Sequence, residues 1–417
     1  MARNIFTIKN SHIMKKAEEQ PVLPKDFFKQ FKDKEQFQSF FQSLFKQGIE
    51  ALLQAELDEH LGYEKHSIKG YNSGNSRNGS SAKTVKTESV GDLELAIPRD
   101  RNGSFEPGLI PKHSRMTDKL EDAIIGMYSR GMTTPDIEQQ VAEIYGVSVS
   151  SGTVSNITNK LLDNIRAWQS RPLDKVYFIV WMDGIRLKIR HNSKVADKTV
   201  YLVIGLNKQG LKEVLGMWVS ETESATFWLS VLGDLKSRGV EDILIACTDN
   251  LSGFTQAIKA AFTLALTQLC IVHQIRNSCK FVSWSERREF AADLREIYTA
   301  PNEHAAAAAL DRFEQKWGGK YAYAIKSWRS NWAELVTFMD FPPEIRHIIY
   351  TTNIIESLNS GVRKFTKTKT IFPHDDSALK VVYMAVSNIE RKWTMPIKNW
   401  GLILQQFLII FGDRCRL

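Results

Sequence analysis

The sequence predicts an α/β chain whose centre is a mixed β-sheet with flanking helices, and three observations carry that expectation. The period of the apolar residues changes near Lys175: "VYFIVWM" is a continuous apolar run, as a strand covered on both faces requires, and it continues with Ile185, Leu187 and Ile189 alternating against Arg186, Lys188 and Arg190. "KTVYLVIGLNKQGLKEVLGMWVS" then supplies two more strands around a turn at Asn207 to Gly210. A helix ("SATFWLSVLGDLKSRG"), a buried strand ("DILIAC"), another helix and a fifth strand ("QLCIV") follow in turn. Three meandering strands and then helix, strand, helix, strand is the order of an RNase H-like fold. From His273 to about Phe341 only helical patterns occur, including "HAAAAAL", which reads as an all-α insertion in that core.

Taken from the amino terminus, residues 1–62 form a helical region. Phe37, Phe41, Leu44, Phe45, Leu52 and Leu53 recur at helical intervals from Lys34 to Leu61, so one long amphipathic helix is expected, its apolar face covered by the rest of the protein or by a second copy. Residues 63–115 change texture to Gly, Ser, Asn and isolated basic residues, with a strand possible in "DLELAIP". Two readings stand there. One is a surface connector; the other is a DNA-tracking segment in which Lys65, Lys69, Arg77, Lys83, Lys86, Arg99, Arg101, Lys112 and Arg115 approach phosphates. Residues 116–170 parse as a helix ending at Gly131, a second opening at Thr133 or Thr134 before Pro135, a turn at Gly146 and a third helix from about Ser151. That is helix-turn-helix spacing, shared with small bundles that touch no DNA. In the third helix Val154, Ile157 and Leu161 face a core, leaving Thr153, Asn156, Asn159 and Lys160 for bases or phosphates. The α/β core follows in two parts, 171–273 and 345–417, around the insertion at 274–344.

The composition narrows the partners. Lysine plus arginine less aspartate plus glutamate is 55 − 47 = +8, which favours a polyanion, nucleic acid ahead of an anionic membrane surface. The amino-terminal "NIFTIKNSHI" is broken by polar residues, unlike a signal peptide. The longest apolar runs fall well short of the roughly 18 residues needed to span a bilayer. A soluble, cytoplasmic, nucleoid-associated protein without membrane contact is expected. The four cysteines are too few and scattered for a disulfide framework and are expected as thiols.

Two aspartates interrupt or close apolar strands. Asp183 ends the buried part of the first strand and Asp249 sits just past the fourth, 249 − 183 = 66 residues later. In the predicted order these strands are neighbours, so the carboxylates converge at one edge. A charge placed there is costly without a partner such as a metal ion; strand-end acids facing solvent are the alternative. Carboxylate oxygens suit magnesium, and two such ions suit in-line phosphodiester chemistry. Glu356 lies 356 − 249 = 107 residues beyond, in "TTNIIESLN", where Ile355, Leu358 and Val362 form the buried face of a helix. It is either a third ligand or the distal half of a capping box opened by Asn353.

The chain resembles the DDE transposases of bacterial insertion sequences, mutator type, over nearly its whole length. The stretches that carry this are "ELDEHLGYEKH", "GNSRNG", "IPRDRNGSFEP", "YSRGMTTPDI", "ETESATFWLSVLGDLKSRGVEDILIACTDNLSGF", "QLCIVHQIRNS", "YTTNIIESLN" and "KWTMPIKNW". The resemblance implies that Asp183, Asp249 and Glu356 are a catalytic triad coordinating magnesium, with manganese able to substitute. It implies cleavage and strand transfer at terminal inverted repeats, double-stranded DNA as both end and target, and a homodimer or larger synaptic assembly. It also implies that Tyr63 to Trp168 bind the ends. Cys270 and His273 match a family Cys-x-x-His, too few ligands for a zinc site. Cys270 is expected to be a buried strand residue, and His273, at the strand end, either contacts phosphate or the attacking group or is structural. Arg363, Lys364, Lys367 and Lys369 follow the Glu356 helix and either contact phosphate or form a solvated face. Trp317, Trp328 and Trp332 either sit in a core or stack on bases near the cleavage point, the core being the simpler reading, and Trp393 and Trp400 are expected to pack. Asn250 and Gly361 depart from the family pattern, the former tolerable because asparagine accepts left-handed backbone, and "HSRMTDK" is slightly short.

Overall fold

The structure is a computed structural model and describes residues 26–112, 116–250, 253–350 and 353–415. The amino-terminal segment 1–25, Arg115 and the "TT" before Asn353 therefore lie outside the described residues. The described chain divides into two compact units, 26–122 with 141–148, and 123–140 with 149–415.

In the first unit helix α1 (Lys34–Leu61) opens at Asp33, whose side chain accepts from Gln36 N at 2.7 Å, and closes at left-handed Gly62. Its bounds are those expected from periodicity. Its burial is not: Leu53 and Leu57 are buried, whereas Phe37, Phe41, Leu44 and Leu52 stay exposed. The connector reading of 63–115 is corrected too. Strands β1 (Arg77–Thr87) and β2 (Gly91–Asp100) pair antiparallel, and Val85, Leu93, Leu95, Ile97 and Ile110 pack with Leu53. Half of β1, "RNGSSA", is exposed and lacks the branched residues that signal a strand, so its pairing is imposed by β2.

Helices α2 (Asp118–Ser129), α3 (Thr134–Tyr145) and α4 (Ser151–Gln169) follow. Thr133 and Asp136 cap α3 reciprocally, and Ser150 caps α4 by accepting from Thr153 N. Glu138 on α3 accepts from Ser151 N and Oγ at 3.0 and 2.9 Å, which fixes the start of α4. Val154, Ile157 and Leu161 are buried, as expected.

The second unit is built on a five-stranded mixed sheet. Strands β3 (Val176–His191), β4 (Lys194–Leu206) and β5 (Lys212–Ser220) run antiparallel, helix α5 (Ala225–Ser237) leads to β6 (Asp242–Thr248), and α6 (Phe254–Ala261) leads to β7 (Leu266–Leu269). The spatial order is β5-β4-β3-β6-β7, with β6 parallel to β3 and β7 parallel to β6. The apolar run in β3 is explained by cover on both faces. Tyr177 joins Trp228, Leu232 and Phe254 in the core under α5 and α6, while the next residue, Phe178, meets Trp400 and Phe407 with ring centroids 5.4 and 5.1 Å away.

Helices α7 (Ile271–Ser278), α8 (Arg287–Tyr298), α9 (Glu303–Ser330), α10 (Trp332–Val336), α11 (Pro343–Ile349), α12 (Asn353–Thr366), α13 (Asp375–Glu390) and α14 (Trp400–Phe411) complete the chain. Trp317, Trp328 and Trp400 are buried, Trp332 donates to Glu303, and Trp393 faces Lys212. The fifth strand stops earlier than expected. Cys270 is not a strand residue but the N-cap of α7, its sulfur accepting from His273 N at 3.3 Å, so His273 sits in a helical first turn. No helix among the described residues is long and apolar enough to cross a membrane.

Candidate active site

Strand register brings the two aspartates together. Trp181 pairs with Cys247 in the parallel β3–β6 ladder, so two residues further along each chain Asp183, midway along β3, and Asp249, just past the end of β6, lie side by side. The next ladder pairs Thr248 with Leu269, which puts Cys270 and the start of α7 at the same edge. One ligand atom each from Asp183, Asp249 and His273 lies within 4.8 Å of the others.

The local chemistry of Asp183 is restrictive. Its Oδ1 accepts from Gly184 N at 2.7 Å and its Oδ2 from Asn359 Nδ2 at 2.6 Å. Burial raises its pKa and Asp249 adds to the rise, opposed by His273 and Arg363. Gly184 is required beside it: a Cβ there would lie 2.4 Å from Thr199 Cγ2 and 3.1 Å from the Tyr201 ring on β4.

His273 Nδ1 touches Asp249 Oδ1, yet neither buried atom has an aligned hydrogen bond. Burial would lower the pKa of this imidazole, but the Asp249 carboxylate and the Cys270 sulfur outweigh it and push it up to about 11. An imidazolium thus balances the two carboxylates. Asn359 Oδ1 is also buried without a partner. The two carboxylates and the unpaired buried oxygens fit a divalent cation held by oxygen, with the protonated His273 a neighbour and not a ligand.

Glu356 is not in this cluster. It lies in the first turn of α12, where its Oε1 accepts from Arg276 Nη2 at 3.1 Å. The capping-box reading also fails locally, since Asn353 is the first helical residue and the Glu356 carboxylate is turned to Arg276. Ile355, Leu358 and Val362 are buried as expected, and Asn359, one turn beyond Glu356, is what α12 sends to Asp183. Downstream, Phe372 pairs with the distal part of β3, through Arg190 N to Phe372 O and Phe372 N to Lys188 O, both 2.8 Å, and so anchors the segment after α12 on the sheet.

Three participants escaped sequence reasoning: Asn359, Arg276 and Glu223. Asn359 is a polar residue within the buried stripe of α12, a signal that was available. Glu223, between β5 and α5, accepts from Trp228 Nε1 at 3.1 Å; burial raises its pKa, and the negative charges of Asp249 and Asp183 add to that. Nothing local distinguishes Arg276 or Glu223 from other surface charges.

The basic candidates divide. Arg77 donates to Asp58 and to Tyr63 O at 2.7 Å, and Lys83 donates to the carbonyls of Pro111 and Lys112, so both already have partners inside their unit. Arg99 and Arg101 are exposed and, with Lys83 and Lys112, line a cleft of about 300 Å³. Asn156 and Lys160 are exposed on α4, while Thr153 is half-buried against Ser150 and Asn159 accepts from Lys380 at 2.9 Å, which makes both poor free contacts. Arg363, Lys364 and Lys367 are exposed on or just after α12. Asn250 does not use the left-handed backbone expected of it; its side chain points toward Gln274. Gly361 faces Ile389 Cδ1, 2.6 Å from where a Cβ would lie, so the small residue admits α13 closely.

A mixed sheet that brings two carboxylates and an imidazole within 4.8 Å of one another, with a helix docked on one of the acids, could hold a metal ion. The family described as "Transposase, Mutator family" matches residues 18–396, and the chain belongs to that family. It is 44% identical over 366 residues, 88% of this chain and 90% of the other, to the transposase for insertion sequence element ISRM3 of Rhizobium meliloti (strain 1021). The transposase for insertion sequence element IS905 of Lactococcus lactis subsp. lactis (strain IL1403) is 36% identical, covering 82% of this chain and 87% of that one. Among solved structures, the Drosophila P element transposase strand transfer complex aligns at 10% identity and a TM-score of 0.35, over 66% of this chain and 92% of that chain.

Proposed function

We propose that this chain is a DDE-type transposase with an RNase H-like core, which cuts DNA at the terminal inverted repeats of its element and joins the freed end to a target. The observation that carries the reading is the convergence of Asp183 and Asp249 from adjacent parallel strands, with α12 docked on Asp183 through Asn359 and Glu356 one turn away. Asp183 and Asp249 are the residues that would hold divalent cations, with Glu356 as third acid once Arg276 releases it. Magnesium, or manganese in its place, supplies Lewis acidity that lowers the pKa of the attacking oxygen and neutralises the leaving one.

The reaction comprises two phosphoryl transfers. In the first, a water oxygen attacks a phosphorus at the element end, the P–O3′ bond breaks and a 3′-hydroxyl is left. In the second, that hydroxyl attacks a target phosphodiester and the target's own 3′ oxygen departs. The chain's residues orient these groups: Asn359 holds the Asp183 carboxylate, His273 holds Asp249, and Arg363 brings positive charge toward the scissile backbone. Arg99, Arg101, Asn156, Lys160, Lys364 and Lys367 are assigned to DNA contact, and synapsis of two ends calls for a homodimer or larger assembly.

The test is to incubate purified protein with labelled inverted-repeat duplex, intact or pre-cleaved, with and without magnesium, and map nicks and joints. Asp183→Asn, Asp249→Asn and Glu356→Gln are each expected to reduce cleavage at least a thousandfold (~4 kcal/mol) while leaving end binding largely intact. Undiminished cleavage by all three variants defeats the assignment, and cutting without joining of pre-cleaved ends reduces it to a nuclease.

A further inference from the structure

Away from the acidic centre, two lysines converge on one aromatic ring. Tyr128, near the end of α2, is 4% exposed; Lys369 Nζ lies 3.9 Å from its ring centroid and Lys380 Nζ 5.5 Å. Lys380 is 3% exposed and donates to Asn159 Oδ1 at 2.9 Å and Thr158 Oγ1 at 3.4 Å, both on α4. Lys369 has no hydrogen bond or ion pair from its ammonium among the described residues; its partner is the Tyr128 ring. Burial and the neighbouring Lys380 charge lower the Lys369 pKa to about 8. Asp136 acts on Lys369 and Asp376 on Lys380 through space, but neither carboxylate makes an ion pair with these lysines among the described residues. Two partly desolvated cations side by side are unfavourable, and a ring face compensates a cation by only about 0.5–2 kcal/mol.

The pocket is built by the fold. Lys369 follows the end of α12 by three residues, and the segment is pressed against α2: a Cβ on Gly131 would meet Thr368 Oγ1 at 2.0 Å and Phe365 O at 2.8 Å. Lys380 reaches from α13 to α4. Tyr128, Lys369, Lys380 and Asn159 therefore come from four parts of the second unit and leave the partly exposed Lys369 ammonium with no directly bonded anion among the described residues, its charge offset only through space by Asp136.

We propose that Lys369, backed by Lys380 and Tyr128, is a binding subsite for one backbone phosphate of duplex DNA, located where α4 meets the segment that follows α12. The inference rests on the DNA-binding reading above. A phosphate there supplies a negative charge in direct contact with the ammonium, and it couples DNA held by α4 to the chain leaving the helix of Glu356. Such a contact is indifferent to base sequence.

The experiment uses the full chain and a labelled inverted-repeat duplex, and measures Kd by fluorescence anisotropy across a salt series, with an unrelated duplex in parallel. Lys369→Met is expected to weaken both duplexes several-fold and to flatten the slope of log Kd against log salt by about 0.9, the value of one phosphate contact. Lys369→Arg is expected to restore the slope, and the melting temperature of Lys369→Met is expected to stay level or rise, since a desolvated charge has been removed. An unchanged slope and affinity in Lys369→Met, beside normal binding by the unaltered protein, overturns the subsite alone. A weakening that Lys369→Arg leaves uncorrected and a lower melting temperature accompanies also overturns it, making Lys369 structural. Failure of the unaltered protein to bind either duplex overturns the DNA-binding reading itself.

Discussion

A buried carboxylate is informative because of what satisfies it, and two in this chain are satisfied in opposite ways. Asp100 at the end of β2 is 4% exposed. It accepts from Asn75 Nδ2 at 2.7 Å, Ser104 N at 3.0 Å, Ser104 Oγ at 2.7 Å and Phe105 N at 3.1 Å. Burial works against its charge, but those four donors overcome it and hold its pKa well below the usual carboxylate range. Asp183 has two donors and an acidic neighbour, and its pKa is raised. The first arrangement is complete within the protein; the second leaves capacity for something more. Because the folded-state pKa of Asp100 is depressed, its stabilisation is present in full above its unfolded value, near pH 4, and is lost as pH falls through the folded one. Asp100→Asn is therefore expected to lower stability near neutral pH by about 1–3 kcal/mol and to flatten the decline in acid. Urea melts from pH 7 to pH 3 check this, and equal acid sensitivity in both proteins would refute it.

Elements place side chains that could not place themselves. The β3–β6 register fixes the separation of Asp183 and Asp249, and β4 enforces it through Gly184, since Thr199 and Tyr201 occupy the space any side chain would need. Gly184→Ala is expected to cost about 1–3 kcal/mol by overpacking and to lose cleavage beyond what that destabilisation explains, because Asp183 must move with its strand. Denaturant melts paired with a nicking assay at a temperature where the variant is folded separate the two effects. Retained cleavage would show that β3 tolerates the shift. Helix α12 behaves likewise: Gly361 has weak helix propensity, yet it is where Ile389 packs, so the residue serves the α12–α13 crossing rather than the helix itself.

At the scale of the whole molecule, the excess of +8 is carried by side chains with different fates. Arg77, Lys198 and Arg238 are consumed by internal partners, whereas Arg99, Arg101, Arg363, Lys364 and Lys367 remain exposed. If the exposed set contacts backbone phosphates, affinity for element ends and for unrelated duplex should fall in parallel as salt rises. Filter binding at several salt concentrations measures this, and an affinity for unrelated duplex that ignores salt would contradict it.

What the sequence determined by itself is what depends on periodicity and local capping. The bounds of α1, the five strands in order, the buried face of α4 and the two aspartates that close apolar runs were all legible, because 3.6- and 2-residue repeats and apolar runs are written in neighbouring residues. What only the tertiary structure decided depends on partners distant in the chain. The exposed half of β1 is a strand because β2 pairs with it, and Cys270 caps a helix because β7 ends early. The Glu356 carboxylate turns to Arg276 while Asn359 takes Asp183, a choice between two residues one helical turn apart. Such choices are made by packing and electrostatics across 80 and 176 residues of chain, and no window of local sequence contains both members of either pair.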